Sequence, residues 1–302
     1  MQISSDVTAN WQVHLHTAAA LIPLMLTSRV NDNYRTCKYS NGWLDMGSLP
    51  TAEHSAIVLL LGSFIWFDIL AAASTGLKPF LKLNPQLFLS SDNIHLEQLI
   101  GVENWVVVLV FQINELVRWK KEAETNGQLS ISELANRGAR IRSVLQQRSN
   151  ELPLQESARS GPSTSESWGR FPKSASSEVT RIFILSALIY LHVAISGPNP
   201  ELPEITSNVT RVIEAFESLT HPSLLRHLVW PFCVTGCLAL ERQRGVFPAL
   251  IAIAERSGHA LNTCRTAFKI MEECWRLRDT HPDQNCDWIS TMKSLNHVVL
   301  LG

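Results

Sequence analysis

Apolar residues recur along this chain at spacings of three and four, the period of an α-helix, and never in the sustained two-residue alternation of a half-buried strand. Residues 11–26 form a first apolar run carrying His14 and His16, which fall on different faces of a helix. Residues 31–49, rich in Asn, Gly and Asp, read as a loop. Residues 51–74 predict a long apolar helix, stopped by Thr75-Gly76 with Pro79 just beyond. Residues 94–124 predict a second long helix, closed by Asn126-Gly127. Ser130 and Glu133 then have the spacing of a capping box, in which each side chain satisfies a free amide of the first turn. Leu129 and Leu134 flank it where a hydrophobic staple would pack, and Leu134, Gly138, Ile141 and Leu145 share one helical face.

Residues 146–178 interrupt the pattern. They are dense in Ser, Pro, Gly and Glu, bury too little apolar surface to offset the entropy of ordering, and read as a flexible insertion. Beyond them, residues 179–195 predict a buried helix, and Ile205, Val209, Val212 and Phe216 mark an amphipathic one. Pro222 opens a further helix that Pro231 must kink or restart, because proline removes a backbone donor. Residues 246–254 follow, then a strict stripe of Leu261, Cys264, Phe268, Met271 and Trp275 ended by His281-Pro282. Asp287 has the place of a cap on a short last helix. The fold class is all-α: a multi-helix bundle or irregular helical array making one domain over residues 1–302, with the insertion at about 146–178.

Composition narrows the function. Hydrophobic residues are 45% and charged residues 18%, a globular balance, and the formal net charge is −1. A free-standing nucleic-acid binder needs a basic excess to neutralise phosphates. Here Arg118, Lys120, Lys121, Arg137, Arg140 and Arg142 are offset by Glu115, Glu122, Glu124 and Glu133, so no direct DNA contact is expected from this chain alone. Residues 56–73 approach bilayer length, but Asp68 inside the run and the lack of flanking basic clusters favour a buried helix over a membrane span.

Candidate chemistry is sparse. The six cysteines lack any Cys-x-x-Cys pair, so no zinc site is expected, and reduced buried thiols are the simpler reading. Neither GxGxxG, GxxxxGK[ST] nor GxSxG occurs, and no cofactor is implied. Three charged residues stand inside apolar stretches: Asp68, Glu103 and Arg181. Buried charges require partners, so these three either pair as struts of the core or line a ligand cavity with Trp66, Trp105 and Trp230.

Several segments together resemble a known family. FIWFDILAAASTGLKP (64–79), GVENWVVVLVFQINELVRWKKE (101–122) and LSISELANRG (129–138) are similar to the fungal-specific transcription factor regulatory domain. So are VTRIFILSALIYLHVAISGPNPELPEI (179–205), LVWPFCVTGCLALERQRGVF (228–247), and IMEECWRLRD (270–279) followed by DWISTMKSLNHVVLLG. The order is kept, the resemblance covers most of residues 11–302, and its nearest likeness is the acriflavine-sensitivity-like branch of zinc-cluster regulators. It implies an all-helical module in the nucleus (a cytoplasmic protein otherwise), controlling a metabolic or secondary-metabolite gene cluster. Its implied partners are a small-molecule effector, a second copy, or a related transcription factor. The family's zinc cluster precedes this domain, and only ten residues precede the first helix here, so the cluster is expected to be missing. No catalytic residues come with the resemblance.

Two other readings stay open. One is a stand-alone descendant recruited as an enzyme or metabolite-binding protein, with a pocket near Trp66, Asp68, Glu103, Trp105, Arg181, Tyr190, His192 and Trp230, and Asp68 or Glu103 moving a proton. The other is a truncated product that inhibits full-length relatives by dimerising.

Overall fold

A computed structural model of the protein describes residues 11–28, 51–80, 84–90, 94–152, 171, 173–256, 258, 261–281 and 286–302. Among these residues there is no strand, and the regular elements are α-helices and short 3-10 turns. The apolar runs fold as the spacing predicts: α1 (Trp11–Ser28), α2 (Thr51–Thr75), and, after a short α3 (Pro85–Leu89), a break where one long helix was expected. The segment 94–124 divides into α4 (Leu96–Leu99) and α5 (Asn104–Thr125).

Three specific interactions cause that break. Gly101 adopts a left-handed φ of 81°, and a Cβ there would lie 2.5 Å from the Phe171 ring. The Asn104 side chain donates to the carbonyls of Ile94 (2.5 Å) and Leu89 (3.0 Å) and accepts from the Leu96 amide (3.0 Å). Thr180 donates to Gly101 O (3.1 Å) and accepts the Glu103 amide (3.2 Å). Apolar content alone carries none of this information.

Next come α6 (Ile131–Glu151) and α7 (Lys173–Ser196). Ser130 caps α6 by accepting the Glu133 amide, but the Glu133 carboxylate turns to Arg137 (2.7 Å) instead of reaching back, so half of the expected box forms. The buried face of α6 is the anticipated Leu134, Gly138, Ile141 and Leu145. Helices occupy both margins of the 146–178 stretch, to Glu151 and from Lys173; its middle, 153–170, lies outside the described residues, as does the loop expected at 31–49.

α7 is the centre of the domain. Every residue from 182 to 194 is buried, and the helix packs against α5, α6, α8 (Pro203–Glu217) and α9 (Val229–Cys237). At about 1.5–3 kcal/mol for each large apolar side chain taken from water, this helix makes a large contribution to the hydrophobic stabilisation. Gly138 lets α6 close on it: an added Cβ would meet Ile195 at 2.3 Å.

Pro222 opens a 3-10 turn, Pro222–His227, not an α-helix, and α9 starts afresh after Leu228. Pro231 is the third residue of α9, in the first turn, whose amides have no intrahelical acceptor. The chain continues through a second 3-10 turn (Glu241–Gln243), α10 (Val246–Arg256), α11 (Asn262–Thr280) and α12 (Trp288–Ser294). Asp287 and Ser290 cap α12 reciprocally at 2.7 and 2.9 Å. α9 and α11 meet at Gly236, where an added Cβ would fall 1.7 Å from Met271 Sδ. The Trp275 indole donates to Gly236 O (2.8 Å), and Arg278 reaches the carbonyls of Cys237 (2.5 Å) and Cys286 (3.2 Å). Trp288 donates to Ala73 O (3.0 Å), joining the last helix to α2.

Among the described residues, two helices are long and apolar enough to cross a membrane, 55–75 and 175–196, and 61% and 83% of their apolar windows are packed inside the fold.

Candidate functional site

The structure scatters the sequence-selected residues and brings one group of them together. Trp66, Trp230 and Tyr190 come together: the Trp66 ring lies 5.3 Å from Phe183, which stacks on Trp230 at 5.8 Å, and Tyr190 meets Trp230 at 5.9 Å and Trp288 at 5.6 Å edge-on. Such pairs add about 0.5–1.5 kcal/mol each beyond burial. The Trp230 indole N–H is buried and has no acceptor among the described residues.

Asp68, Glu103 and Trp105 do not join that cluster. Asp68 is buried on α2 and accepts the Phe80 amide at 2.7 Å, holding the segment that follows the helix. Glu103 precedes α5 and accepts the Trp105 indole N–H, and the Arg148 guanidinium lies 5.2 Å from the Trp105 ring. Each carboxylate is thus held by a partner near it in sequence, Asp68 by Phe80 and Glu103 by Trp105.

Arg181 corrects its expected burial. It is exposed on α7, at a groove of about 580 Å³ that Glu178, Arg211 and Glu214 also line. One charged residue in an apolar run marked the helix's narrow solvent strip, not its interior. His192, buried on the same helix, has its pKa lowered by burial first, with Glu204 raising it and Arg142 lowering it.

Among the described residues, no group of three or more His, Cys, Asp or Glu side chains is placed to hold a metal ion. The five described cysteines are free and buried. Burial pushes the Cys264 thiol up to about 12, and burial with the neighbouring Cys233 raises Cys237 well above its ordinary value.

One cleft has the makings of a small-molecule site. It measures about 300 Å³ and opens between the end of α2 and the outer half of α5. Ala72, Leu77, Pro79 and Val117 form apolar walls, and Asn114 and Tyr190 lie at the floor. Tyr190 donates to Asn114 Oδ1 (3.0 Å), and Asn114 Nδ2 donates to Ile69 O (3.0 Å). Burial, then the field of Asp287, drives the Tyr190 phenol far above its usual pKa, so it remains a neutral hydroxyl. Lys78, Arg118, Lys121, Glu115 and Glu122 surround the mouth.

Of the predicted residues, only Tyr190 reaches this cleft. The signal for the others was present but weak: Asn114, Arg118, Lys121 and Thr125 recur at helical spacing, so one face of α5 carries them all. Their neighbours on α5 do other work. Lys120 donates to Ala194 O (2.9 Å) near the end of α7; on the cleft face itself Arg118 pairs with Glu115.

Comparison with known proteins gives the cleft its context. The family model described as the fungal specific transcription factor domain matches residues 1–302. Transcription factor dibT of Pestalotiopsis microspora is 29% identical over 100% of this chain and 52% of its own length. The trichothecene biosynthesis transcription regulator TRI10 of Trichoderma arundinaceum is 28% identical, over 91% of this chain and 64% of its own length. The ustiloxin B cluster transcription factor ustR of Aspergillus flavus is 28% identical, over 85% of this chain and 44% of its own length. The chain spans about half the length of the curated relatives it matches. No solved structure matches. With a family model covering it from first residue to last, and with an all-helical array beneath the match, this chain belongs to the fungal-specific transcription factor domain family.

Proposed function

We propose that this chain is the regulatory module of a nuclear transcriptional regulator of a biosynthetic gene cluster. The observation that carries the reading is the match along the whole of residues 1–302, shared with relatives named as regulators of such clusters. The charge supports a regulatory more than a DNA-gripping role: a net −1 is no overall basic excess of the kind that favours a phosphate backbone.

Fusing residues 1–302 to a heterologous sequence-specific DNA-binding domain tests this directly. In a fungal host carrying the matching reporter, the fusion changes transcription several-fold, up or down, relative to the DNA-binding domain alone. A folded, nuclear fusion that leaves the reporter unchanged overturns the reading.

A further inference from the structure

We propose that the cleft between α2 and α5 binds a small apolar acid bearing a hydroxyl, of the hydroxyaryl carboxylic acid class, hydroxyl inward on Tyr190 and Asn114, carboxylate outward between Lys78 and Lys121. The cleft's regulatory meaning rests on the function proposed above; the binding does not.

The floor specifies the inner end. Tyr190 uses its only proton on Asn114 Oδ1, so its oxygen, at the lining of the cleft, has only acceptor capacity left. Asn114 uses one of its two side-chain N–H groups on Ile69 O, which leaves the second as a donor. One acceptor and one donor side by side suit a hydroxyl, which both donates and accepts. Both groups are buried, so an apolar guest that left them unmatched would bind less well than one that completed them.

The walls specify the middle. Ala72, Leu77, Pro79 and Val117 offer no polar side chain, and a volume of about 300 Å³ suits a compact apolar body. That is the small end of the range in which ligand sites occur, about 300–1,000 Å³.

The mouth specifies the outer end. Arg118 and Glu115 neutralise one another. Lys78 and Lys121 stand in no ion pair among the described residues, against the single carboxylate of Glu122. The residual charge at the rim is therefore positive, and a carboxylate emerging there replaces solvent contacts with charge-assisted ones.

The test uses the purified chain and calorimetric titration with three acids of increasing length: 4-hydroxybenzoate, 4-hydroxycinnamate and 4′-hydroxybiphenyl-4-carboxylate. At least one binds with a Kd of about 1 mM or tighter, more tightly than its deoxy analogue and its methyl ester. In the double variant Lys78→Gln/Lys121→Gln the acid weakens about tenfold while the ester is unaffected; both positions are on the surface, so folding is retained. Tyr190→Phe removes the preference for the hydroxylated acid. If that variant fails to fold, the lysine pair decides alone. No binding of any of the three up to about 10 mM, or binding untouched by the double variant, overturns the site. A chain that binds an acid but moves no reporter keeps the site and loses the regulatory reading. One that moves the reporter but binds none of the acids does the reverse.

Discussion

Among the junctions where polar groups enter the apolar interior, the one between α5 and α7 and the one between α9 and α11 do different work. At Gly236 the donors close on the end of a helix: Trp275 holds Gly236 O, and Arg278 holds the carbonyls of Cys237 and Cys286, while Arg278 Nη1 and Thr235 Oγ1 stay without a partner among the described residues. The cation also sits at the C-terminal end of α9, where the helix's unpaired carbonyls concentrate negative charge. At Asn114 and Tyr190 the hydrogen bonds stop one donor and one acceptor short of completion, and a cleft lies against them. Donors that close on the carbonyls of a helix end, packed away from any cleft, fix helices to one another; a spare donor and acceptor beside open space are equipped to recognise something.

Variants can break or sharpen that contrast. Trp275→Ala removes contacts with Phe247 and Phe268 together with the bond to Gly236 O, and should destabilise by about 4 kcal/mol in urea unfolding followed by circular dichroism. Gly236→Ala drives a methyl into buried Met271 and should cost about 2–3 kcal/mol. Combined with Met271→Ala, its cost should be less than the sum of the two, because the residues touch. Tyr190→Phe leaves Asn114 Oδ1 without its donor and should cost about 1–2 kcal/mol, a smaller loss because Asn114 borders the cleft and water can reach it.

Acid sensitivity should arise at a third place. His227 is pushed down to about 4, by burial first and then by Arg226, whose Nε donates to its ring at 3.0 Å. Between the unfolded value near 6.5 and the folded one, the unfolded chain holds the extra proton, so stability falls as pH drops from about 6.5 to 4. His227→Gln should flatten that limb of the urea midpoint against pH, with partial exposure keeping the change modest. Lys121→Gln should alter stability by less than about 0.5 kcal/mol, so any loss of acid binding in it reports on the cleft alone.

The helices were legible because their evidence is local. Leu134, Gly138, Ile141 and Leu145 repeat within one element, and the caps at Ser130 and Asp287 act within a single turn. The Gly101 break was not, since Phe171 and Thr180, some 70 to 80 residues later, enforce it. Arg181 misled because a run that is apolar on most sides still has an open strip. Of the cleft, Tyr190 could be chosen as a large amphipathic ring, while Asn114 lay hidden within WVVVLVFQINELV, and its facing wall comes from residues about 40 positions earlier. Spacing reveals a face; only tertiary packing says what it faces.

The bond from the Trp288 indole to Ala73 O spans 215 residues. A ribosome adding about 5–20 residues per second needs roughly 10–40 s to make that stretch. For that interval α2, a long and strongly apolar helix, emerges without the partner that seals its end, which makes it a natural client for chaperones on the nascent chain. A premature stop anywhere before Trp288 would leave the helix in that condition permanently.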